Sequence, residues 1–322
     1  MSESEEAAPA ARVEPSARVL TVAEAETRLD AFLVRELRIS RRAARALLEQ
    51  GAVSRDGRRL SERDKGSPLL HGTQLAIAVC ALPETVAPLP APERALQILA
   101  QGPGWIAVDK PAGVPVHPRF AEERGTMLNA VVARYPGIVG VGEGGLRSGV
   151  VHRLDTTTSG VLLFATEDRS WHELREAFRT HRVDKRYRAL VSGALRGQAR
   201  EELPLVVARH HPARVRVARA DERRAARLCR LRWRALETFA SAALIEVELE
   251  TGFLHQIRAT FAHLGYPLLG DRHYAATIAS PGSSAPRPML HAAALAVGDV
   301  QAESPDPPDF RDLLQELRDG AV

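Results

Sequence analysis

In the stretch "RLDAFLVREL", residues 28–37, the apolar positions fall at Leu29, Phe32, Leu33 and Leu37. Spacing of three and four puts them on one helix face. The pattern repeats in "ISRRAARALLEQGAV", residues 39–53: Ala44, Leu47 and Leu48 make the inner stripe, Ser40 suits an N-cap and Gly51 a C-terminal stop. Arg41, Arg42 and Arg45 then lie on the opposite side of that helix, turned to solvent or to a partner. The short run "VLTV" precedes the two helices, "VSRDGRRL" suits a hairpin around Asp56-Gly57, and "GTQLAIAV" suits a closing strand. Together they predict a small α/β unit over residues 18–80.

Residues 1–17 are small, charged and poor in apolar side chains, which predicts a flexible tail. Residues 81–95 concentrate prolines without apolar periodicity and read as a linker. Beyond it, over 96–322, strand-like runs dominate: "WIAVDK", "GVLLFAT", "KRYRALVSG" and "AALIEVELETG". Helical stretches, "SWHELREAFRTH" and "LHQIRATFAHLG", fall between them without strict alternation. That distribution predicts a mixed, mainly antiparallel α+β domain rather than a doubly wound sheet.

Composition narrows the class. A chain of 322 residues with 45% hydrophobic content can bury a sizeable core, and it has no run long enough to span a membrane. The first twenty residues are unlike a signal peptide, so the cytoplasm is the expected location and a monomer the expected state. Cys80 and Cys229 are far apart and form no CxxC, which points to reduced thiols rather than a disulfide or zinc site. Charge is uneven. Arg28 to Arg63 holds ten arginines against five acids, and Arg179 to Arg234 holds seventeen Arg/Lys against five. Arginine-rich composition alone does not explain such clustering, and it points to a nucleic acid partner.

Candidate chemistry centres on "VVHRLDTTTSGVLLFAT", residues 150–166. The glycine-rich "GVGEGGLRSG" leads into a strand-like run, not a helix, and so is no nucleotide fingerprint. There is no HExxH, and His210-His211 sits among arginines, so a metal site is not expected. No second acid accompanies Asp155 locally, although a distant one such as Asp271 could meet it in space. Asp155 can serve as nucleophile or general base if a cation keeps it ionised. It can equally cap its own loop through side-chain to backbone bonds.

Four ordered segments carry a resemblance: "VDKPAGVPVHP" (108–118), "HRLDTTTSG" (152–160), "KRYRALVSG" (185–193), and "TGFLHQIR" with "HLGYPLLGD" (251–271). They resemble the RluA-type RNA pseudouridine synthases. The first unit is similar to the small RNA-binding fold named after ribosomal protein S-four. The resemblance implies cleavage of the bond between uracil and ribose, rotation of the bound base, and joining of C5 to C1′, with no cofactor and no metal. It implies that Asp155 starts the cleavage, that Arg258 pairs with it, and that Tyr187 offers an aromatic face and a group near the C5 proton. Arg153 would hold the nearby RNA strand or occupy the space left by the extruded nucleotide, and Arg41, Arg42, Arg45 and Arg58 would contact phosphates. Since C1′ and C5 are inaccessible in a stacked helix, the target uridine must be flipped out or lie in a loop. His152 and His255 are expected to order loops, and His117 and Lys110 to shape the first motif's turn. The chain departs from the family at Phe253, where an arginine is usual, at Ala259-Thr260, and in "PMLHAAALAVGD", which keeps Leu290-His291-Ala292 without the usual FxHP. Large-subunit ribosomal RNA, free or in an assembly intermediate, is the expected substrate. A transfer RNA and a catalytically silent assembly factor are the alternatives.

Overall fold

The computed structural model describes residues 17–25, 28–37, 39, 41–78, 87–210, 212–274 and 285–320. The tail at 1–16, the Ser40 cap, Cys80 and the linker stretch 81–86 lie outside them. So do the side chains of Arg41 and Arg42. The described chain forms two compact units, divided after Val86.

In the first unit, β1 (Ala17–Thr21), β2 (Val53–Arg55), β3 (Arg58–Arg59) and β4 (Gln74–Ala78) form a sheet in the order β1-β4-β2-β3. The helices α1 (Leu29–Leu37) and α2 (Arg41–Glu49) supply its core. The predicted stripes are the buried ones: Leu29, Phe32, Leu33, Leu37, Ala44, Leu47 and Leu48 cluster with Val53, Leu75 and Ile77. Asp56 and Gly57 both take positive φ, 51° and 77°, as a two-residue hairpin turn requires, and Arg55 pairs with Arg58 across it. Arg45 and Arg58 are exposed.

The second unit carries β5 (Gln97–Gly102), β6 (Trp105–Lys110), β7 (Ser159–Ala165), β8 (Asp184–Ser192), β9 (Gln198–His210), β10 (Ala213–Val217), β11 (Arg227–Thr238), β12 (Ala242–Leu249), β13 (Leu290–Val297) and β14 (Val300–Glu303). Its ten-stranded sheet runs β10-β9-β11-β12-β8-β13-β7-β6-β5, with β14 paired to β13. Every pairing is antiparallel except β13 with β7, so the mixed α+β arrangement expected from the sequence is the one formed. Helices α3 (Met127–Arg134), α4 (Asp168–Arg179), α5 (Gln256–His263) and α6 (Pro308–Arg318) connect or cover the strands. Residues 87–95, part of the proline-rich stretch, pack against this unit: Ala91 is buried with its N–H on the Asn129 carbonyl (3.0 Å), and Asn129 Nδ2 donates to Leu89 O (2.7 Å).

β7 is buried along its whole length, which explains its unbroken apolar run "SGVLLFA". It lies at the centre of the main core and begins four residues after Asp155. The sheet therefore gives that aspartate a rigid base.

Candidate active site

Asp155 sits on the loop entering β7, and two buried cations hold the following residues. Lys110 Nζ donates to the carbonyls of Pro111 (3.0 Å), Val114 (2.7 Å) and Thr156 (3.0 Å), tying the first motif's turn to this loop. Gly113 N–H reaches the same Thr156 carbonyl at 2.8 Å. Arg287 Nη1 donates to the Thr157 carbonyl at 3.2 Å, while its Nε and Nη2 fork onto Asp309 of α6 at 2.6 and 2.9 Å. His291 Nδ1 lies 3.0 Å from Ser159 Oγ, completing the anchorage to β13. Burial pushes the Lys110 ammonium down to about 7, an effect that Asp155 opposes. Lys110 therefore shapes the turn, as expected, and also holds the aspartate loop in place.

Arg258 comes from α5, whose entry is stapled by Gln256. The Gln256 Oε1 accepts from Thr251 Oγ1 (2.9 Å) and Phe253 N–H (3.1 Å), and its Nε2 donates to Arg230 O (3.0 Å). With that turn fixed, Arg258 Nη1 stands 3.4 Å from Asp155 Oδ2. Its Nε and Nη2 bind Asp271 bidentately at 2.7 and 2.9 Å. Asp271 is 1% exposed, so breaking this pair would strand a buried charge at a cost of about 3–5 kcal/mol. Burial opposes the Arg258 charge, but the Asp271 bonds and the charges of Asp271 and Asp155 raise its pKa overall. The fixed guanidinium presents a permanent cation to Asp155.

Tyr187 projects from β8 into the same cavity, with Lys185 two residues earlier on the same face. Burial and the charge of Asp155 push the Tyr187 phenol up, so at neutral pH it is a neutral phenol and hydrogen-bond donor rather than a base. Burial brings Lys185 down to about 8. The cavity, about 670 Å³, is also lined by Arg153, Arg175, Arg179, Phe253 and Leu254. That volume lies in the range of small-ligand sites. His152 is not placed for proton transfer: its Nε2 accepts from Leu163 N–H at 2.9 Å, its ring stacks on Phe178 at 4.6 Å, and burial lowers it to about 3. Among the described residues, no group of three or more His, Cys, Asp or Glu side chains is placed to hold a metal ion.

The structure thus brings Asp155, Arg258, Tyr187 and Arg153 to one cavity. Arg45 and Arg58 stand on the first unit, and Arg41 and Arg42 open α2 there. Sequence reasoning named Asp271 only as an acid that could meet Asp155; it instead meets Arg258, which lies between them. Its signal was its place at the end of "HLGYPLLGD".

The family described as RNA pseudouridylate synthase matches residues 104–263, and the S4 domain matches residues 27–64. An uncharacterised RNA pseudouridine synthase of Chloroflexus aurantiacus is 35% identical over 318 residues, covering 96% of each chain. The chain belongs to the RNA pseudouridine synthases. This synthase, an isomerase of the RluA type with an N-terminal S4 domain, is also 32% identical to the ribosomal large subunit pseudouridine synthase D of Pseudomonas aeruginosa, over 84% of this chain and 85% of that one. In fold it is similar to human RNA pseudouridylate synthase domain containing 1, at a TM-score of 0.56 and 22% identity, covering 71% of this chain and 97% of that one. Among the described residues no helix is long and apolar enough to cross a membrane.

Proposed function

We propose that this synthase converts specific uridines of large-subunit ribosomal RNA to pseudouridine, with Asp155 starting glycosidic cleavage. The observation that carries the reading is the Asp155 carboxylate, 25% exposed at the cavity, paired at 3.4 Å with an Arg258 that Asp271 locks in place. The N1–C1′ bond breaks and a C5–C1′ bond forms, while hydrogen leaves C5 and N1 gains one. The exchange is internal to the nucleotide and calls for no external donor. Tyr187 supplies an aromatic face to the turned base, where stacking contributes about 1–3 kcal/mol. Arg153 holds the RNA strand at the cavity mouth.

Residues 18–80 act in this reading as the RNA-gripping domain, through Arg41, Arg42, Arg45 and Arg58, and 96–322 as the catalytic domain. The S4 match and the similarity to a large-subunit rRNA synthase support ribosomal RNA as substrate. The test is pseudouridine mapping of total RNA from cells with and without the gene, complemented by wild type or Asp155→Ala. Specific large-subunit sites are expected to vanish and return only with the wild type. Loss of transfer RNA sites instead would move the substrate, and no loss at all would favour an RNA-binding assembly factor.

A further inference from the structure

We propose that His255 is a positioning residue for Asp155 and that Tyr274 sets its working tautomer. The inference rests on Asp155 as the group that starts the reaction. His255 precedes α5 with a left-handed backbone, φ 50°, a region that residues other than glycine enter at functional sites more often than elsewhere. That backbone aims the imidazole both ways. Nδ1 lies 3.0 Å from the Tyr274 hydroxyl, and Nε2 lies 3.7 Å from Asp155 Oδ2.

Val215 and Asp155 together favour one direction of the hydrogens. The Val215 backbone N–H donates to the Tyr274 oxygen at 2.9 Å and occupies one of that oxygen's accepting positions, which favours the arrangement in which the tyrosine's own proton goes to His255 Nδ1. Nε2 then carries the remaining hydrogen on the carboxylate side, at a 3.7 Å separation that gives an electrostatic contact rather than a hydrogen bond. The other neutral tautomer would set a nitrogen lone pair against Asp155 Oδ2. Burial lowers the His255 pKa, with Arg258 and His273 acting in the same sense and Asp155 and Asp271 opposing, which keeps the ring a neutral donor.

Arg258 Nη1 approaches that same Oδ2 at 3.4 Å. One long contact lets a carboxylate rotate, whereas a second contact from another direction restrains it. Both contacts are to Oδ2. A neutral second donor orients the group without adding a second cation that would weaken it as a nucleophile.

The test follows tritium release from C5-tritiated ribosomal RNA purified from cells lacking the gene. Tyr274→Phe keeps the ring beneath the Arg258 guanidinium, which lies 5.1 Å from its centroid, and removes only the hydroxyl. Its kcat is expected to fall roughly tenfold with KM unchanged, as loss of an orienting contact rather than of binding. His255→Ala should fall at least as far, and His255→Gln, which restores an N–H donor, should recover most of that loss. Wild-type kcat in Tyr274→Phe and His255→Ala, a loss confined to KM, or no recovery in His255→Gln at wild-type melting temperature would overturn the proposal. Asp155→Ala in the same assay separates the two levels: release by that variant removes the underlying reading, whereas its silence beside a fully active His255→Ala removes this inference alone.

Discussion

Lys185 and Tyr187 stand two apart on β8 and face the same cavity, yet burial acts on them with opposite consequences. The phenol is driven further into its neutral form, while the ammonium is brought within reach of neutral pH. Lys185 is charged below about 8 and loses its charge above. RNA affinity should therefore fall as pH rises from 7 through 8 to 9, by roughly tenfold if one charge-assisted contact of about 1.5 kcal/mol is lost. Lys185→Arg stays charged and should remove that dependence, measured by filter binding in an Asp155→Ala background. Folding stability changes in the opposite sense. Because the folded pKa lies below the unfolded one, the unfolded chain holds the extra proton above pH 8, and this residue's contribution rises towards the ordinary lysine range. At this scale the sequence was most readable where a residue belongs to a motif: Asp155, Tyr187, Arg258 and Lys110 lie where their segments placed them. It was least readable where a pair closes over a chain reversal. Arg258 and Asp271 are thirteen positions apart across the end of α5, at no helical or strand spacing, so periodicity could not join them.

Among elements, helix stripes and the Asp56-Gly57 hairpin were legible because one apolar face meets one core. β9, β10 and β11 were not, because their arginines read as a basic patch. β11 does alternate, with Cys229, Leu231 and Trp233 buried and the residues between them turned out, but the charge obscured the period of two. α3 and α6 were likewise unread as elements. The parallel pairing of β13 with β7 brings Gly160, at φ 113°, opposite Ala292. A Cβ there would lie 2.2 Å from the Ala292 carbonyl oxygen, which is backbone and cannot step aside. Gly160→Ala should destabilise the second unit by about 1–3 kcal/mol from overpacking, with further strain from the backbone conformation. A lowered urea midpoint at unchanged slope is the expected signature, and activity should fall with it because Asp155 is five residues upstream.

At the level of the whole molecule, linear charge overstates the field. Arginines from the basic stretch are matched in space by acids from β9 and the strands that follow it: Arg230 with Glu202 (2.8 Å), Arg234 with Glu246 (2.8 Å), and Arg200 and Arg232 with Glu250 (2.8 and 3.1 Å). Arg188 pairs with Asp306. Within that basic stretch, Arg200, Arg230, Arg232 and Arg234 thus belong to a cross-strand ion-pair lattice, of modest stabilising value at an exposed surface. Salt titration of RNA binding should show it. Replacing Arg45 and Arg58 by Gln should reduce the magnitude of the log–log slope by about 1.5, as two phosphate contacts require, whereas replacing Arg230 and Arg232 should leave it nearly unchanged.

The anchorage of the aspartate loop also sets an order of events during synthesis. Its neighbours are held by Lys110 from one side and, from the other, by Arg287 through Asp309 on α6. α6 is packed in place by Phe310, Leu313, Leu314 and Leu317 against Leu190, Leu244 and Met289. A nascent chain completes its first unit about two hundred residues before α6 leaves the ribosome, since domains fold N-terminal first. On the proposed function, a copy still short of α6 can grip RNA before its aspartate loop is held. In that reading, catalytic competence waits for α6 to be made and packed.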